Sequence, residues 1–294
     1  MRHRRHFALS QENNIRFISD ETYIRMHCIV KLHYCPDFKH PCTFNEKLRW
    51  YKPNYHNLEL PLQADKYEVR SFVEERIGEQ HLVPLCGILG SAAEIDINRL
   101  FNRFMLKCSH DSQSTFVCTD RATFDVEDVR GRLTVVVHRN WYWQGCEWAY
   151  FDKRPIIVVK IYLNELDKET PIDYKLYCFD GKVVLVQTDT NCFTSHDIQY
   201  FLLGCVQCGD MHHVVSDHEP IAMLANRELM LELSEKLLTR FSHARVGWYN
   251  VDGKLFFDEM TFYTGGVRSF LQYGGATRSS RAGVWRTICP IGGR

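Results

Sequence analysis

Three lysines stand at positions where an ammonium group could bind phosphate. Lys66 opens a predicted helix, Lys107 ends a predicted strand, and Lys175 lies in another strand two residues after Asp173. An ammonium is a compact positive charge that suits phosphate oxygens. Because most lysines are solvated surface residues, each of the three is weak evidence when taken alone. Lys107 is the strongest candidate, since the segment FMLKC around it is otherwise apolar and a buried ammonium needs a partner.

Glu259 is the corresponding acidic candidate, because it lies among large apolar residues in the segment FFDEMTF. A carboxylate on an apolar strand is costly to bury unless it is paired or binds a cation. Mg²⁺ is often held by one or two carboxylates together with substrate phosphates. Neighbouring strand residues point to opposite faces, so Asp258 can join Glu259 at one site only if the strand bulges. The lysines and Glu259 together suggest a site for a magnesium–nucleotide complex.

Cysteine and histidine spacing leaves a second kind of site open. Cys205 and Cys208 form a CxxC pair, and His212 and His213 follow them. A structural zinc site needs four ligands, so the two adjacent histidines would have to act as the second pair. Ordinary buried or loop cysteines explain the same pattern more simply. The 12 cysteines are scattered through the chain, which shows no export signal, and this favours a reduced, cytoplasmic environment.

Composition excludes several broad classes of protein. The 294 residues carry 36 basic and 36 acidic side chains, and hydrophobic residues make up 45% of the chain. The hydrophobic fraction is typical of a globular protein. The equal numbers of basic and acidic side chains lack the basic excess of a dedicated nucleic-acid binder. No apolar run approaches the length of a membrane span, and the basic N-terminus with Arg2, Arg4 and Arg5 does not lead into a signal sequence. Those arginines fit either a frayed tail or a contact with an anionic membrane surface.

The elements that would position these residues mix helices with antiparallel hairpins. Asp65 and Glu68 have the spacing of a capping box before a helix that Gly78 should end. A second amphipathic helix is predicted over 226–241, with Asn226 as its cap. The segment 35–57, rich in Pro, Asn and aromatic residues, is predicted to be a loop, and so is the tail from Gly265 onward.

Strands are predicted over seven segments, and two Asp-Gly pairs indicate hairpin turns between neighbouring strands. The segments are 103–109, 114–120, 155–163, 173–179, 182–190, 243–251 and 254–262. Antiparallel hairpins with separate helices indicate the α+β class and not a doubly wound parallel sheet. No GxGxxG, Walker A or GxSxG motif is present.

Five blocks, in this order along the chain, resemble the TupA-like ATP-grasp family, which is associated with teichuronopeptide and other surface-polysaccharide biosynthesis. They are PCTFNEKLRW (41–50), DKYEVRSFVEERIGEQHLVPL (65–85), FMLKCSHDS (104–112), DYKLYCFDGK (173–182) and ARVGWYNVDGKLFFDEMTF (244–262). The resemblance extends from about residue 20 to 266. It implies an ATP-grasp fold, in which two α+β subdomains with antiparallel sheets enclose a nucleotide cleft.

The resemblance also implies an activity. ATP-grasp ligases use ATP and Mg²⁺ to phosphorylate a carboxylate, and an amine then attacks the acyl phosphate to form an amide. The expected partners are ATP, an acidic glycan precursor or other carboxylate, and an amine, with no nucleic acid. The expected location is the cytoplasm, where the basic N-terminus would allow peripheral contact with the inner face of the membrane.

The site residues implied by the resemblance fall into three groups. Nucleotide contacts would come from Lys66 and Lys107, from a phosphate loop over 109–114, and from the hinge that borders the adenine. The loop and hinge residues are Ser109, Ser112, Lys160, Tyr162 and Leu163. Asp173 and Lys175 would face the phosphate and substrate end, while Glu259 and Thr261 would hold Mg²⁺.

The chain departs from the family pattern at residues that the family pattern assigns to the phosphate loop, the hinge and the metal site. The phosphate loop, 109–113, lacks the family's glycines and carries Asp111, an anion where phosphates should bind. Lys160 replaces a hinge Glu, and Gly247 replaces an Asp that is a metal ligand in the family pattern. Asp258 could restore that carboxylate if the strand bulges. These changes leave open an alternative, a catalytically impaired relative that binds a nucleotide, a glycan or a partner protein.

The expected organisation has three parts. Residues 1–62 form a helical and loop segment, 63–154 the N-terminal subdomain, and 155–294 the C-terminal subdomain with its loop-rich tail. A sugar-transferring enzyme is less well supported, because no DxD-type metal motif is present.

Overall fold

A computed structural model describes most of the chain. The described residues are 18–41, 44–111, 114–151, 153–163, 171–190, 197–203, 212–215 and 226–264. They form two separate antiparallel sheets with helices packed around them, so the predicted α+β class is confirmed. Among the helices in these ranges, none has the length and apolar character needed to cross a lipid bilayer.

Within the described residues, ten strands make up the two sheets. They are β1 (Leu85–Leu89), β2 (Phe104–Cys108), β3 (Thr115–Cys118), β4 (Ile157–Ile161), β5 (Asp173–Phe179), β6 (Lys182–Thr190), β7 (Asp197–Leu202), β8 (His212–Val215), β9 (His243–Val251) and β10 (Lys254–Thr261). The small sheet has the order β1-β4-β2-β3, and the large sheet has the order β10-β9-β5-β6-β7-β8. All seven predicted strand segments are confirmed, whereas β1, β7 and β8 were not predicted.

The helices lie before, between and after the strands. They are α1 (Asp20–Leu32), α2 (Phe44–Asn54), α3 (Leu60–Ala64), α4 (Val69–Ile77), α5 (Val126–Val137), α6 (Tyr142–Gly145) and α7 (Arg227–Leu238). Short 3₁₀ turns cover Glu79–His81, Ala92–Glu94, Ile97–Arg99 and Trp148–Tyr150.

The prediction of a loop over 35–57 is wrong for α2. Leu48 and Tyr51, three residues apart, are buried on one side of this helix and join the main core. Pro53 lies in its last turn, where it removes a hydrogen-bond donor but does not prevent the preceding turns from forming. The Pro and Asn residues therefore mark the end of a helix and not an irregular segment.

Asp65 caps the turn that leads into α4, which itself begins after Glu68, whereas the cap predicted at Asn226 is wrong. The Asp65 carboxylate accepts hydrogen bonds from the backbone N–H of Tyr67 at 2.9 Å and of Glu68 at 3.0 Å, just before α4. Gly78, with φ of 98°, ends that helix as expected. Asn226 precedes α7 in a left-handed conformation, and its side chain donates to the Gly253 carbonyl at 2.5 Å and does not cap the helix.

Each sheet packs one of its two faces against helices, and its opposite face does not belong to that helix-covered core. Phe104, Leu106, Ile157 and Val159 of the small sheet pack with Leu133 of α5 in one core. Helix α7 packs against β5, β6 and β9 of the large sheet in the main core. Because strand side chains alternate, the residues between these core positions point to the opposite faces, and these carry the predicted site residues.

Strand β4 begins two residues after the predicted subdomain boundary at residue 155, and it pairs with β1 and β2 in the small sheet. The division into 1–62, 63–154 and 155–294 remains a prediction.

Candidate functional site

Two lysines of the small sheet share one face. Lys107 on β2 pairs with Val158 on β4, and Met105 pairs with Lys160. Directly paired residues of antiparallel strands point to the same face, so both ammonium groups lie opposite the α5 core. Both side chains are almost completely buried, with residue exposures of 4% for Lys107 and 2% for Lys160. Buried ammonium groups require counter-charges, and the large sheet supplies them.

Asp258 of β10 binds both lysines through one carboxylate oxygen. Its Oδ1 lies 2.8 Å from Lys107 Nζ and 3.6 Å from Lys160 Nζ, while the Tyr249 hydroxyl donates to Oδ2 at 3.2 Å. Lys160 Nζ also lies 3.4 Å from the Asp258 carbonyl oxygen. This carboxylate therefore joins the two sheets at a buried junction.

The ionisation of these three groups follows from their contacts. Burial opposes the charge on Asp258, but Lys107 and Lys160 outweigh it and hold the pKa of that carboxyl well below its usual range. Burial also opposes the charge on Lys107, yet the Asp258 and Glu259 carboxylates raise the pKa of Lys107. Burial lowers the pKa of Lys160 to about 8, and the neighbouring cations add to this effect, although Asp258 opposes it.

A β-bulge brings Asp258 and Glu259 to the same face. Phe257 pairs with Trp248 and Met260 pairs with Val246, so two residues of β10 oppose the single residue Gly247 of β9. A Cβ atom built on Gly247 would lie 3.5 Å from both Asp258 Cβ and Glu259 Cγ. The β-bulge that Asp258 and Glu259 need in order to share one face is therefore present.

Glu259 and Thr261 lie together with Arg245, which was not predicted. Arg245 Nη2 contacts Glu259 Oε1 at 2.7 Å and Thr261 Oγ1 at 3.1 Å, and the Thr261 hydroxyl donates to Glu259 Oε1 at 3.1 Å. Although burial opposes it, Arg245 lowers the pKa of Glu259. The signal for Arg245 is the same as for Lys107, a cation within a strongly apolar strand segment.

Lys175 and Asp173 belong to the same polar face of the large sheet. Lys175 pairs with Gly247 across β5 and β9, and its Nζ lies 2.9 Å from Asp173 Oδ2. Lys175 also forms an ion pair with Asp189 of β6, a second residue that was not predicted. Burial raises the pKa of Asp173 to about 6, and Asp258 and Asp189 add to this effect although Lys175 opposes it. Asp173 Oδ1 is buried without a hydrogen bond to any described residue.

We call these seven residues the charged cluster. Its members are Lys107, Lys160, Lys175, Arg245, Asp173, Asp258 and Glu259.

Lys66 and Ser109 pack the described part of the predicted phosphate loop against the small sheet. The Lys66 backbone N–H donates to the Ser109 carbonyl at 3.0 Å, and Lys66 Nζ donates to the Asp111 carbonyl. The Asp111 carboxylate accepts a hydrogen bond from Ser114 and is buried. Ser109 is fully buried, and its hydroxyl makes no hydrogen bond within the described residues. Ser112, which was also predicted to contact phosphate, lies outside the described residues.

Tyr162 and Leu163 follow directly after β4, as expected for a hinge segment. Tyr162 is buried, and the Arg103 guanidinium lies 4.9 Å from the centre of its ring. The predicted adenine contacts of both residues remain predictions.

The structure does not test the zinc alternative. Cys205 and Cys208 lie outside the described residues, and the side chains of His212 and His213 are not described. Within the described ranges, no group of three or more His, Cys, Asp or Glu residues is arranged to hold a metal ion. The seven described cysteines are not joined in disulfides.

The donor set at Glu259 nevertheless fits a magnesium ion that phosphates help to hold. Its carboxylate and the Thr261 hydroxyl offer only oxygen atoms, and they lie on the face of the large sheet that meets Lys107 of the small sheet. Mg²⁺ prefers oxygen ligands and commonly takes only one or two carboxylates from the protein.

Comparison with known proteins concerns the family and the fold of the chain. The family model described as TupA-like ATP-grasp matches residues 46–273. No curated protein sequence matches the chain. The L-amino acid ligase from Bacillus licheniformis is similar in structure, with a TM-score of 0.50 and 11% identity over 92% of this chain and 61% of that one. The D-alanine–D-alanine ligase from Bacillus anthracis gives a TM-score of 0.44 and 15% identity over 78% of this chain and 65% of that one. The chain thus spans less than two thirds of the length of either ligase.

Proposed function

The chain belongs to the TupA-like ATP-grasp family, and from this premise we propose that it is an ATP-dependent carboxylate–amine ligase. The observation that carries the proposal is the convergence of two buried lysines from the small sheet and two carboxylates from the large sheet at one junction. Such a junction can neutralise the charge of a nucleotide and of the group that it transfers, which is what phosphoryl transfer chiefly requires.

In the proposed reaction, a carboxylate oxygen of the first substrate attacks the γ-phosphorus of ATP. ADP leaves and an acyl phosphate forms. The nitrogen of an amine then attacks the acyl carbon, the C–O bond to phosphate breaks, and phosphate and an amide are produced. Phosphorylation makes the reaction possible because a free carboxylate is a poor electrophile.

Residues in and next to the charged cluster would act at different steps of this reaction. Lys107 and Lys160 would bind phosphate oxygens, and Lys66 would hold the 109–111 segment close to them. Glu259 and Thr261 would hold Mg²⁺, which when bound supplies charge neutralisation on the phosphates. Arg245, in contact with both, would stabilise negative charge that develops on the transferred group.

Asp173 is suited to accept the proton that the amine loses on attack. Its Oδ1 is buried without a hydrogen bond to any described residue, and burial raises its pKa to about 6. A carboxylate with a raised pKa is a stronger base than an exposed one. Lys175, at 2.9 Å from the other oxygen, would fix its orientation.

We place the substrates in surface-polysaccharide biosynthesis, with an acidic glycan precursor as the carboxylate and an amino compound as the nucleophile. The support for this assignment is the family to which the chain belongs. A reaction at the inner face of the membrane would fit the basic N-terminus, whose arginines lie outside the described residues.

A second candidate is a family member that binds nucleotide without ligase turnover. The observation that favours it is Gly247, which removes a carboxylate from the centre of the polar face. Formation of ADP from ATP, dependent on an added acid and amine, would distinguish the ligase from the binding protein.

Calorimetric titration with a non-hydrolysable ATP analogue tests the nucleotide site. We expect binding that Mg²⁺ strengthens and that weakens at least about tenfold in Lys107→Met and in Glu259→Gln, because each variant loses a charge-assisted contact. Lys182→Met is the matched control, since Lys182 is exposed and pairs with Glu235 outside the cluster. Absence of binding at millimolar analogue and Mg²⁺ would contradict the proposed function.

A further inference from the structure

The two junction lysines converge on one point, and the protein's own carboxylate occupies that point. Asp258 Oδ1 lies within 2.8 Å of Lys107 Nζ and 3.6 Å of Lys160 Nζ. The three side chains are between 3% and 7% exposed. Two buried ammonium groups directed at a single oxygen form a site for an anion, because each of them gains most from a negative charge placed between them.

The bulge in β10 allows Asp258 and Glu259 to share one face. Phe257 and Met260 both face the core that α7 covers, so a regular strand could turn only one of the two acids to the opposite face. With both residues opposite Gly247, the Asp258 side chain enters the junction beside that of Glu259. The hydrogen bond from Tyr249 then holds the second oxygen of Asp258.

Glu259, the neighbouring carboxylate, has a different partner. Its Oε1 accepts from Arg245 and Thr261, both on the large sheet. Asp258 is the carboxylate that binds the lysines of the small sheet, so the two adjacent acids bind different cations of the cluster.

We propose that Asp258 is an internal counter-anion that competes with external phosphate groups for Lys107 and Lys160. A polyphosphate that binds these ammonium groups must displace the Asp258 carboxylate or bring a cation that compensates for it. The inference rests on the proposed function only for the identity of the anion as the phosphates of a nucleotide. It assigns to Lys160 a role as the second ammonium of the anion site.

The test is anion binding in the absence of divalent cations. Wild type and Asp258→Asn are titrated in EDTA with a non-hydrolysable ATP analogue and, separately, with inorganic tripolyphosphate. We expect Asp258→Asn to bind at least one of these anions about tenfold or more tightly than wild type, because the isosteric amide removes the competing charge. Equal or weaker binding of both anions by the variant would overturn the proposal, since loss of a merely structural contact does not increase affinity.

Loss of Asp258 leaves two buried ammonium groups without their shared partner, so the same comparison is made in a second background. Lys160→Met with Asp258→Asn is compared with Lys160→Met alone, where only Lys107 depends on the carboxylate. The double variant should again bind the anions more tightly. Circular dichroism establishes that each variant is folded before it is titrated.

Glu147→Gln is the matched charge control. Glu147 holds Lys52 at 2.7 Å in another largely buried ion pair, so this substitution also removes one carboxylate from a buried lysine. A comparable gain of affinity in Glu147→Gln would show a general charge effect and would overturn the assignment to Asp258.

The two proposals can fail separately. If wild type binds the analogue with Mg²⁺ but Asp258→Asn gains no affinity in EDTA, the counter-anion proposal fails and the proposed function stands. If wild type does not bind the analogue under any condition but Asp258→Asn gains affinity for tripolyphosphate, the anion site stands and the nucleotide function fails.

Discussion

Gly247 lies at the centre of the polar face, with Lys175 on one side and the bulge of β10 on the other. A methyl group at this position would be in ordinary contact with Asp258 and Glu259 at 3.5 Å. The glycine is therefore not required by a lack of space for one more carbon atom. An acidic side chain at position 247 would add a third carboxylate next to those of Asp258 and Glu259, which already have cationic partners.

A substitution series at residue 247 separates size from charge. We expect Gly247→Ala to change the free energy of unfolding by less than about 1 kcal/mol, because glycine in a strand carries an entropic cost that alanine relieves. Gly247→Asp should be about 1–3 kcal/mol less stable than Gly247→Asn in EDTA, since its charge is buried beside two carboxylates and the cations nearby already have acidic partners. Added Mg²⁺ should reduce that difference. Thermal unfolding with and without Mg²⁺ measures both effects, and equal stability of the Asp and Asn variants in EDTA would contradict the expectation.

The residues of the site differ in how far the sequence reveals them. Lys107 and Glu259 are visible because each is a charged residue among large apolar ones, and they do lie at one junction. Arg245 carries the same signal and was overlooked. Asp189 could not be identified in this way, because its neighbours in QTDT are polar and only the pairing of β5 with β6 brings it to Lys175.

At the scale of elements, the hairpins were the most predictable part of the fold. Asp180-Gly181 and Asp252-Gly253 all have positive φ, which matches the Asp-Gly turns expected between β5 and β6 and between β9 and β10. Strand β1 was not recognised because its sequence, LCGIL, contains a glycine and shows no clear alternation. The bulge depends on pairing between β9 and β10, so a single-strand pattern could allow it but could not establish it.

The pairing of β9 with β5 also buries a titratable group. His243 pairs with Phe179 and stacks on its ring at 4.6 Å, and its Nδ1 lies 3.0 Å from the Cys178 carbonyl oxygen. Burial lowers the pKa of His243 to about 4, and Arg245 adds to this effect. The folded protein thus keeps this imidazole neutral at a pH where the unfolded chain would be protonated.

The pH dependence of stability follows with a definite sign. Between about pH 6.5 and 4 the unfolded state binds more protons at His243 than the folded state, so stability falls as the pH falls. The loss should reach about 3 kcal/mol, since one pKa unit corresponds to about 1.4 kcal/mol. Asp173, whose pKa is raised to about 6, has the opposite effect in an overlapping range. Urea unfolding of wild type and His243→Phe at a series of pH values isolates the histidine, because Asp173 is common to both. A constant difference between the two proteins across this range would contradict the assignment.

At the scale of the whole molecule, the charged cluster is what links the two sheets chemically. Lys107 and Asp258 are separated by 151 residues in sequence, and Lys160 and Asp258 by 98. No local pattern relates residues at such distances, so the sequence could name the participants of the junction but not their pairing. A second link runs through the segment before β1, where Leu82 forms a β-bridge with Phe257 and His81 Nδ1 lies 3.0 Å from the Leu255 carbonyl oxygen.

A double-mutant cycle on Lys107 and Asp258 measures the energy of the junction. Removing one partner leaves the other as an uncompensated buried charge, so Lys107→Met and Asp258→Asn should each lower the free energy of unfolding by about 3 kcal/mol. The double variant should cost less than the sum by about 1–3 kcal/mol, because neither charge then remains without its partner. Lys160 keeps part of the Asp258 pairing in Lys107→Met, so that single variant should be the milder of the two. Denaturant unfolding of all four proteins gives the coupling, and simple additivity would mean that the contact at 2.8 Å does not hold the two sheets together.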